Sequence, residues 1–265
     1  MACADVASRL LVVMPARNEA ECVAASVREV FGAVPSAEVL VVDDGSTDDT
    51  ARRARAAGAK VLVVPFNLGV GGAMRAGFKY ARLKGFGIVV QVDADGQHDP
   101  RHIPALLERL DTSPTSANGP SPAGAADVVI GARFTDGDHY PVRGPRRLAM
   151  VMLARVLSRV AKTRLTDTTS GFRASNGRAI RLYSRHYPAE YLGDTVESVV
   201  IALRCGLRVQ QVAVQMRPRQ GGAPSQNGLR STAYLVRAMF ALALATIRRW
   251  PDYIGADDDR AAAVP

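Results

Sequence analysis

Two carboxylates one residue apart, Asp93 and Asp95, stand in the run Val-Asp-Ala-Asp-Gly-Gln-His at residues 92–98, at the end of an apolar stretch. In an extended segment alternate side chains share a face, so both carboxylates point the same way. At that spacing they repel each other unless a cation lies between them. A hard divalent ion takes oxygen ligands and can bridge from such a pair to phosphate oxygens. There it would neutralise the charge that develops on a departing diphosphate. The bland use of the same run is an acidic turn capping the next helix. A second acidic pair opens Asp-Asp-Gly-Ser-Thr-Asp at residues 43–48. Carboxylates there can bind a ribose, base or amine edge by charge-assisted hydrogen bonds. Equally, Ser46 or Thr47 could cap a helix starting near Thr50. A third polar segment, Pro15-Ala16-Arg17-Asn18-Glu19, follows the first apolar run.

These motifs must be carried to one place, and the elements between them say how. Residues 10–14, 38–42, 61–64, 88–92 and 127–131 are short runs of Val, Ile and Leu that read as buried strands. Residues 19–31, 50–57, 71–84 and 101–110 read as the helices between them. Alternation of this kind predicts an α/β fold with a mostly parallel, Rossmann-like sheet flanked by helices. Ligands of such sheets lie beyond the carboxyl ends of the strands, where all three polar segments fall. Residues 112–126, rich in Ser, Thr, Pro, Gly and Ala, read as a loop within the domain. Further on come an apolar helix with interspersed cations at 148–164, a polar motif at 167–173 and a helix at 194–205. A strand at 209–216, a Gly-rich loop at 221–228 and a second basic-apolar helix at 233–249 complete the order.

The three polar segments, with Asn67-Leu68-Gly69-Val70-Gly71-Gly72-Ala73 and Gly77 as support, form a pattern that resembles the family 2 glycosyltransferases. The resemblance spans roughly residues 10–230 and implies the GT-A fold. Within that family the chain is most similar to dolichyl- and polyprenyl-phosphate sugar synthases of the mannose type. Three runs carry this: Asp93-Ala-Asp-Gly-Gln-His-Asp-Pro, Gly131-Ala-Arg133-Phe, and Asp167-Thr-Thr-Ser-Gly-Phe-Arg173. The resemblance implies a GDP- or UDP-linked donor and a polyprenyl phosphate acceptor. It implies that Pro15, Ala16, Arg17, Glu19, Asp43, Asp44, Gly71, Asp93, Ala94 and Arg219 bind the nucleotide sugar. Asp93, Asp95 and Gln97 would hold Mg²⁺ or Mn²⁺ with the diphosphate. Arg133 and Arg219 would sit on phosphate groups. Where mannose-specific relatives often read Asp-Asp-Asn-Ser-Pro, this chain reads Asp-Asp-Gly-Ser-Thr, so GDP-mannose and a UDP-hexose both stay in view.

The chemistry needs no protein base if the acceptor is a phosphate, which is already anionic near neutral pH. Single displacement then rests on positioning and charge stabilisation. The segment 168–173 is the candidate acceptor cradle: Ser170 offers a hydroxyl, Gly171 close backbone approach, and Arg173 a two-pronged phosphate contact. Its alternative is structural, with Arg173 paired to Asp167. A hydroxyl acceptor would need a carboxylate base. Glu197 and Asp194 are candidates, and acids also suit a helix N-terminus for its dipole alone. The catalytic set is thus Asp95, Arg133, Ser170, Arg173 and Glu197. A phosphatase using Asp93 and Asp95 is the rival from another class. Such enzymes usually begin the motif near the N-terminus and carry Thr or Val where Gln97 stands. His98 reads as a structural hydrogen-bonding group before a metal ligand. Gly69-Val-Gly-Gly lacks the last spaced glycine of a dinucleotide loop.

Thirty-four basic against 25 acidic residues leave a charge of +9, which favours anionic partners. Aromatics are only 6% and do not interleave with basic runs, which argues against nucleic acid. Cys3, Cys22 and Cys205 have neither metal spacing nor an even disulfide count, so a reducing compartment is expected. The apolar run at 10–14 is too short for a signal peptide, and Arg237 interrupts the longest apolar stretch, 233–247. The two basic-apolar helices suit a membrane surface, the second followed by Trp250 and Tyr253. Packing on the sheet or an oligomer contact are their other uses. The expectation is a GT-A domain at 8–230, an amphipathic helix at 231–254 and a disordered acidic tail at 255–265. Its place would be the cytoplasmic face of the membrane, held peripherally, or the cytoplasm.

Overall fold

The computed structural model describes residues 9–112, 124–133, 158–159, 165–188 and 194–219. The Gly-rich loop at 221–228, the helix at 233–249 and the acidic tail lie outside the described residues, as does the helix at 148–164 apart from residues 158–159.

Strands β1 (Leu10–Ala16), β2 (Glu38–Asp44), β3 (Lys60–Val64) and β4 (Ile88–Gln91) alternate with helices α1 (Val23–Ala33), α2 (Thr50–Ala56) and α3 (Gly69–Leu83). A 3₁₀ turn, Pro100–His102, and α4 (Ile103–Leu107) lead to β5 (Val128–Ala132). Then come β6 (Arg173–Ser175), α5 (Gly177–His186), α6 (Asp194–Arg204) and β7 (Val209–Ala213). The seven strands form one sheet in the order β3-β2-β1-β4-β6-β5-β7. All neighbours pair in parallel except β6, which runs antiparallel to both β4 and β5.

Continuous apolar strands are required because both faces are covered. Along β1, Leu11 and Val13 join Met74, Phe78, Ile180 and Val199 on one face. Leu10, Val12 and Met14 join Val23, Val27, Ile103 and Leu106 on the other. This is the two-residue strand period applied to two separate cores. Gly77 lets α3 lie directly on β1, since a Cβ there would meet Val13 Cγ1 at 2.5 Å.

The expected alternation holds, and the structure moves several boundaries. Residues 19–22 are not helical as expected. They form a turn in which Glu19 O accepts from Cys22 and Val23 N–H, following Asn18 in a left-handed conformation (φ 54°). α3 starts at Gly69, two residues earlier than expected. Strand β6 and helix α5 were not expected. The signal for α5 was present in an Asn176 side chain that accepts from Arg178 and Ala179 N–H, followed by buried Ala179, Ile180, Leu182 and Tyr183. Among the described residues no helix is long and apolar enough to cross a membrane.

Candidate active site

The carboxyl ends of β1, β2, β4, β5 and β7 meet at one edge of the sheet, and the antiparallel β6 begins there. The polar motifs of the sequence are the loops at this edge.

The first two loops are stapled together. Asn18 N–H donates to Ser46 Oγ at 2.9 Å, and Thr47 N–H donates to Asn18 Oδ1 at 2.9 Å. Ser46 and Thr47 therefore do not cap α2, the alternative open to them. Asp48 accepts from Thr50 N–H and its hydroxyl instead. Asp43 and Asp44 are both buried at the end of β2. Asp43 Oδ1 accepts from Ser46 N–H at 3.1 Å, which closes a turn. Asp44 Oδ1 accepts from Leu68 N–H at 2.6 Å and so fixes the start of α3, where Gly71 is buried in the first turn. Pro15 is half-buried, Ala16 buried and Arg17 exposed beside them.

The loop after β4 is held from all sides. His98 Nδ1 accepts from Asp93 N–H at 2.9 Å, so the neutral ring carries its hydrogen on Nε2, which faces Asp93 Oδ2 at 3.5 Å. The ring stacks on Phe172 with centroids 5.1 Å apart. Gln91 Nε2 donates to Asp93 Oδ1 at 3.3 Å. His98 thus serves Asp93 as the expected structural partner, while the role of Gln91 went unnoticed in the sequence. Gln97 N–H donates to Asp95 Oδ1 at 3.0 Å, and the carbonyl of buried Ala94 accepts from Ser26 Oγ. Burial and the Asp93 charge push the Asp95 carboxyl above its ordinary range. Glu19 is raised too, by burial first and against the pull of Arg219. Arg219 donates to Glu19 Oε1 at 2.5 Å and lies 3.7 Å from Asp95 Oδ2. Glu19 Oε2 is buried without a partner.

On the β5 side, Arg133 makes a two-pronged ion pair with Asp167, at 2.7 and 3.1 Å, and also donates to Thr169 Oγ1. Burial would raise the Asp167 carboxyl, but the Arg133 contacts outweigh it and hold it below the ordinary range. Arg133 keeps a side chain one-third exposed (33%) at the edge of the site. Arg173 is placed differently from the expected phosphate fork. It is buried, and it donates to the carbonyls of Ser170 and Thr168 and to Ser198 Oγ. Nor does it pair with Asp167. Its guanidinium thus ties the 168–170 loop to Ser198 of α6. Ser170 is buried with its Oγ accepting from Phe172 N–H, and Glu197 is half-buried in the first turn of α6. Gly171 lies directly behind Asp93: a Cβ there would meet Asp93 Oδ2 at 3.4 Å. The candidate donor and acceptor loops therefore touch.

A divalent ion fits this edge as a shared ligand. Among the described residues no three His, Cys, Asp or Glu side chains form a cage. Asp93 and Asp95 supply carboxylates whose mutual repulsion is visible at Asp95, and Gln97 is half-buried next to them. Two carboxylates completed by phosphate oxygens is a common set for Mg²⁺.

Comparison with known proteins identifies the family and the fold. The family model for Glycosyl transferase family 2 matches residues 11–187. An undecaprenyl-phosphate mannosyltransferase of Micrococcus luteus is 31% identical over 228 residues, covering 83% of this chain and 88% of its own. A polyprenol monophosphomannose synthase of Mycolicibacterium smegmatis is 32% identical over 173 residues, 63% of this chain and 61% of its own. Glucosyl-3-phosphoglycerate synthase of Mycobacterium tuberculosis, solved with Mn²⁺, uridine diphosphate and glucosyl-3-phosphoglycerate, superposes with a TM-score of 0.63. That match covers 92% of this chain and 81% of the other at 22% identity, so it speaks to the GT-A fold alone.

Proposed function

The chain belongs to glycosyl transferase family 2, and from that membership we propose that it moves a hexose from GDP-mannose or a UDP-hexose onto a polyprenyl phosphate, with inversion. It is a glycosyltransferase similar to polyprenyl-phosphate mannose synthases; the donor, the acceptor and the inversion are the proposal. The observation that carries it is the contact between Asp93 and Gly171, which sets the acidic motif against the 168–171 loop.

In this reading Pro15, Arg17, Glu19, Asp43 and Asp44 face the nucleoside, and Asp93, Asp95 and Gln97 hold Mg²⁺ or Mn²⁺. The ion, when bound, neutralises charge on the departing nucleoside diphosphate. Arg133 offers its exposed edge to phosphate while Asp167 fixes its plane. Arg173, buried below the loop, holds Ser170 and Gly171 in place and adds positive potential beneath them. An anionic acceptor oxygen attacks the anomeric carbon as the bond to the diphosphate breaks. One displacement inverts that centre, and no proton has to be removed. The helices at 148–164 and 233–249 would rest on the membrane surface and present the lipid, and the domain would span 8–230.

Transfer from labelled GDP-mannose and UDP-hexoses to undecaprenyl phosphate, with Mn²⁺ and with EDTA, tests the reading. Glu197→Gln should retain most transfer, whereas Arg133→Ala should lose it with donor binding nearly intact. An inactive Glu197→Gln beside an active Arg133→Ala would instead favour a hydroxyl acceptor. Equal rates in EDTA and Mn²⁺ would remove the metal.

A further inference from the structure

The segment that leaves β7 crosses the acidic loop and is pinned to it. Met216 bridges antiparallel to His98, and Arg217 N–H donates to Gln97 O at 3.0 Å. The Arg217 side chain pairs with Glu29 at 2.6 Å and Asp99 at 2.9 Å. Gln215 N–H donates to His102 Nε2 at 3.2 Å. Arg219 follows two residues after this clamp, so its side chain is delivered to the site with little freedom to lose. Its guanidinium lies between Glu19 and Asp95, two carboxylates whose side chains are only 11% and 10% exposed. Water cannot screen these acids well, and Glu19 Oε2 has no other partner.

We propose that Arg219 is a resident counter-cation that a divalent ion must displace from Asp95, so that metal and nucleotide diphosphate bind this chain together and metal alone binds poorly. The inference rests on Asp95 as a metal ligand. Arg219 and the ion compete for one carboxylate, and the winner depends on what else is present. Without nucleotide, displacing the half-buried guanidinium from Asp95 costs it one anionic partner and gains it none. With a diphosphate present, the released fork meets phosphate oxygens, to which it binds in a planar, two-pronged way. Each ligand then favours the other by the same factor, because coupling between two binding equilibria is reciprocal.

The test is Mn²⁺ binding to the full chain, by electron paramagnetic resonance of free Mn²⁺, alone and with saturating UDP or GDP. Arg219→Gln should bind Mn²⁺ alone on the order of tenfold more tightly than the parent, since a cation 3.7 Å from Asp95 is gone. The nucleotide should then strengthen Mn²⁺ binding on the order of tenfold less than it does in the parent. Arg219→Lys, which keeps the charge but not the fork, should hold Mn²⁺ alone as weakly as the parent does and controls for folding. If Arg219→Gln binds Mn²⁺ alone no more tightly than the parent, the counter-cation is refuted. Asp95→Asn separates the two failures: if it binds Mn²⁺ as well as the parent, the ligand assignment itself is wrong.

Discussion

Gly171→Ala adds one methyl at the contact between the two candidate loops. The new carbon would lie 2.9 Å from Gln91 Nε2, 3.4 Å from Asp93 Oδ2 and 3.6 Å from Asp93 Oδ1. The first distance is shorter than any stable contact, so the Gln91 amide must move. Gln91 is 4% exposed and has little room, and its amide is the group that donates to Asp93 Oδ1. The displacement therefore breaks that hydrogen bond and tilts the carboxylate proposed to hold the metal. A hydrogen bond to a charged group is worth about 1.5–3 kcal/mol at good geometry, and this one is long at 3.3 Å. About 1.4 kcal/mol, or tenfold in Mn²⁺ affinity, is the expected loss. The overpacking itself should cost about 1–3 kcal/mol of stability. Calorimetric titration of Mn²⁺ with nucleotide present measures the first effect and urea unfolding the second. In Gln91→Ala the hydrogen bond is already gone, so Gly171→Ala should add little further loss of metal affinity in that background. Wild-type metal affinity and transfer rate in the single variant would refute the placement of Gly171 against Asp93.

Asp44→Ala should weaken donor binding about tenfold to a hundredfold, as expected for one charge-assisted hydrogen bond, and lower Tm because Leu68 N–H loses its acceptor. A lower Tm with unchanged donor affinity, read by titration calorimetry, would leave Asp44 a cap for α3 alone. Asp127→Ala should cost about 3–5 kcal/mol in urea unfolding. That carboxylate is wholly buried, and it holds Arg178, Asn176 and the Arg208 N–H where β5, α5 and β7 meet. An unchanged denaturation midpoint would contradict that role. Asp167 is held below the ordinary carboxylate range, so its pairing stabilises the fold above about pH 4 and is lost as pH falls through the depressed native value. The Tm gap between the parent and Asp167→Asn should be widest near pH 7 and close in acid; a gap independent of pH would refute the ion pair.

Much of this protein could be read along the chain because its signals are local. Apolar runs of about five residues between helical patterns specify a mostly parallel sheet whose strands are buried on both faces, and parallel connection puts the carboxyl ends of those strands at one edge. Asp43, Asp44, Asp93, Asp95 and Gln97 could be placed at that edge for this reason: the first two end β2 and the others lie in the loop that follows β4, so finding the strand locates the residue. Helix α5 was missed despite its local signal, whereas the existence of β6 depends on partners far away. β6 has three residues and no pattern of its own; it is a strand because β4 and β5 flank it. Arg173 has the composition of a phosphate ligand, and only tertiary packing, which seats Ser198 and two loop carbonyls around it, makes it a buried brace. Which arginine meets which acid was likewise undecided by sequence. Asp167 takes Arg133, 34 residues away, and Glu19 takes Arg219, 200 residues away. Charge alone cannot choose among 34 cations, since attraction between opposite charges is not specific to any pair. The choice is made by the tertiary structure, which brings Glu19 after β1, Asp95 after β4 and Arg219 after β7 within reach of one another.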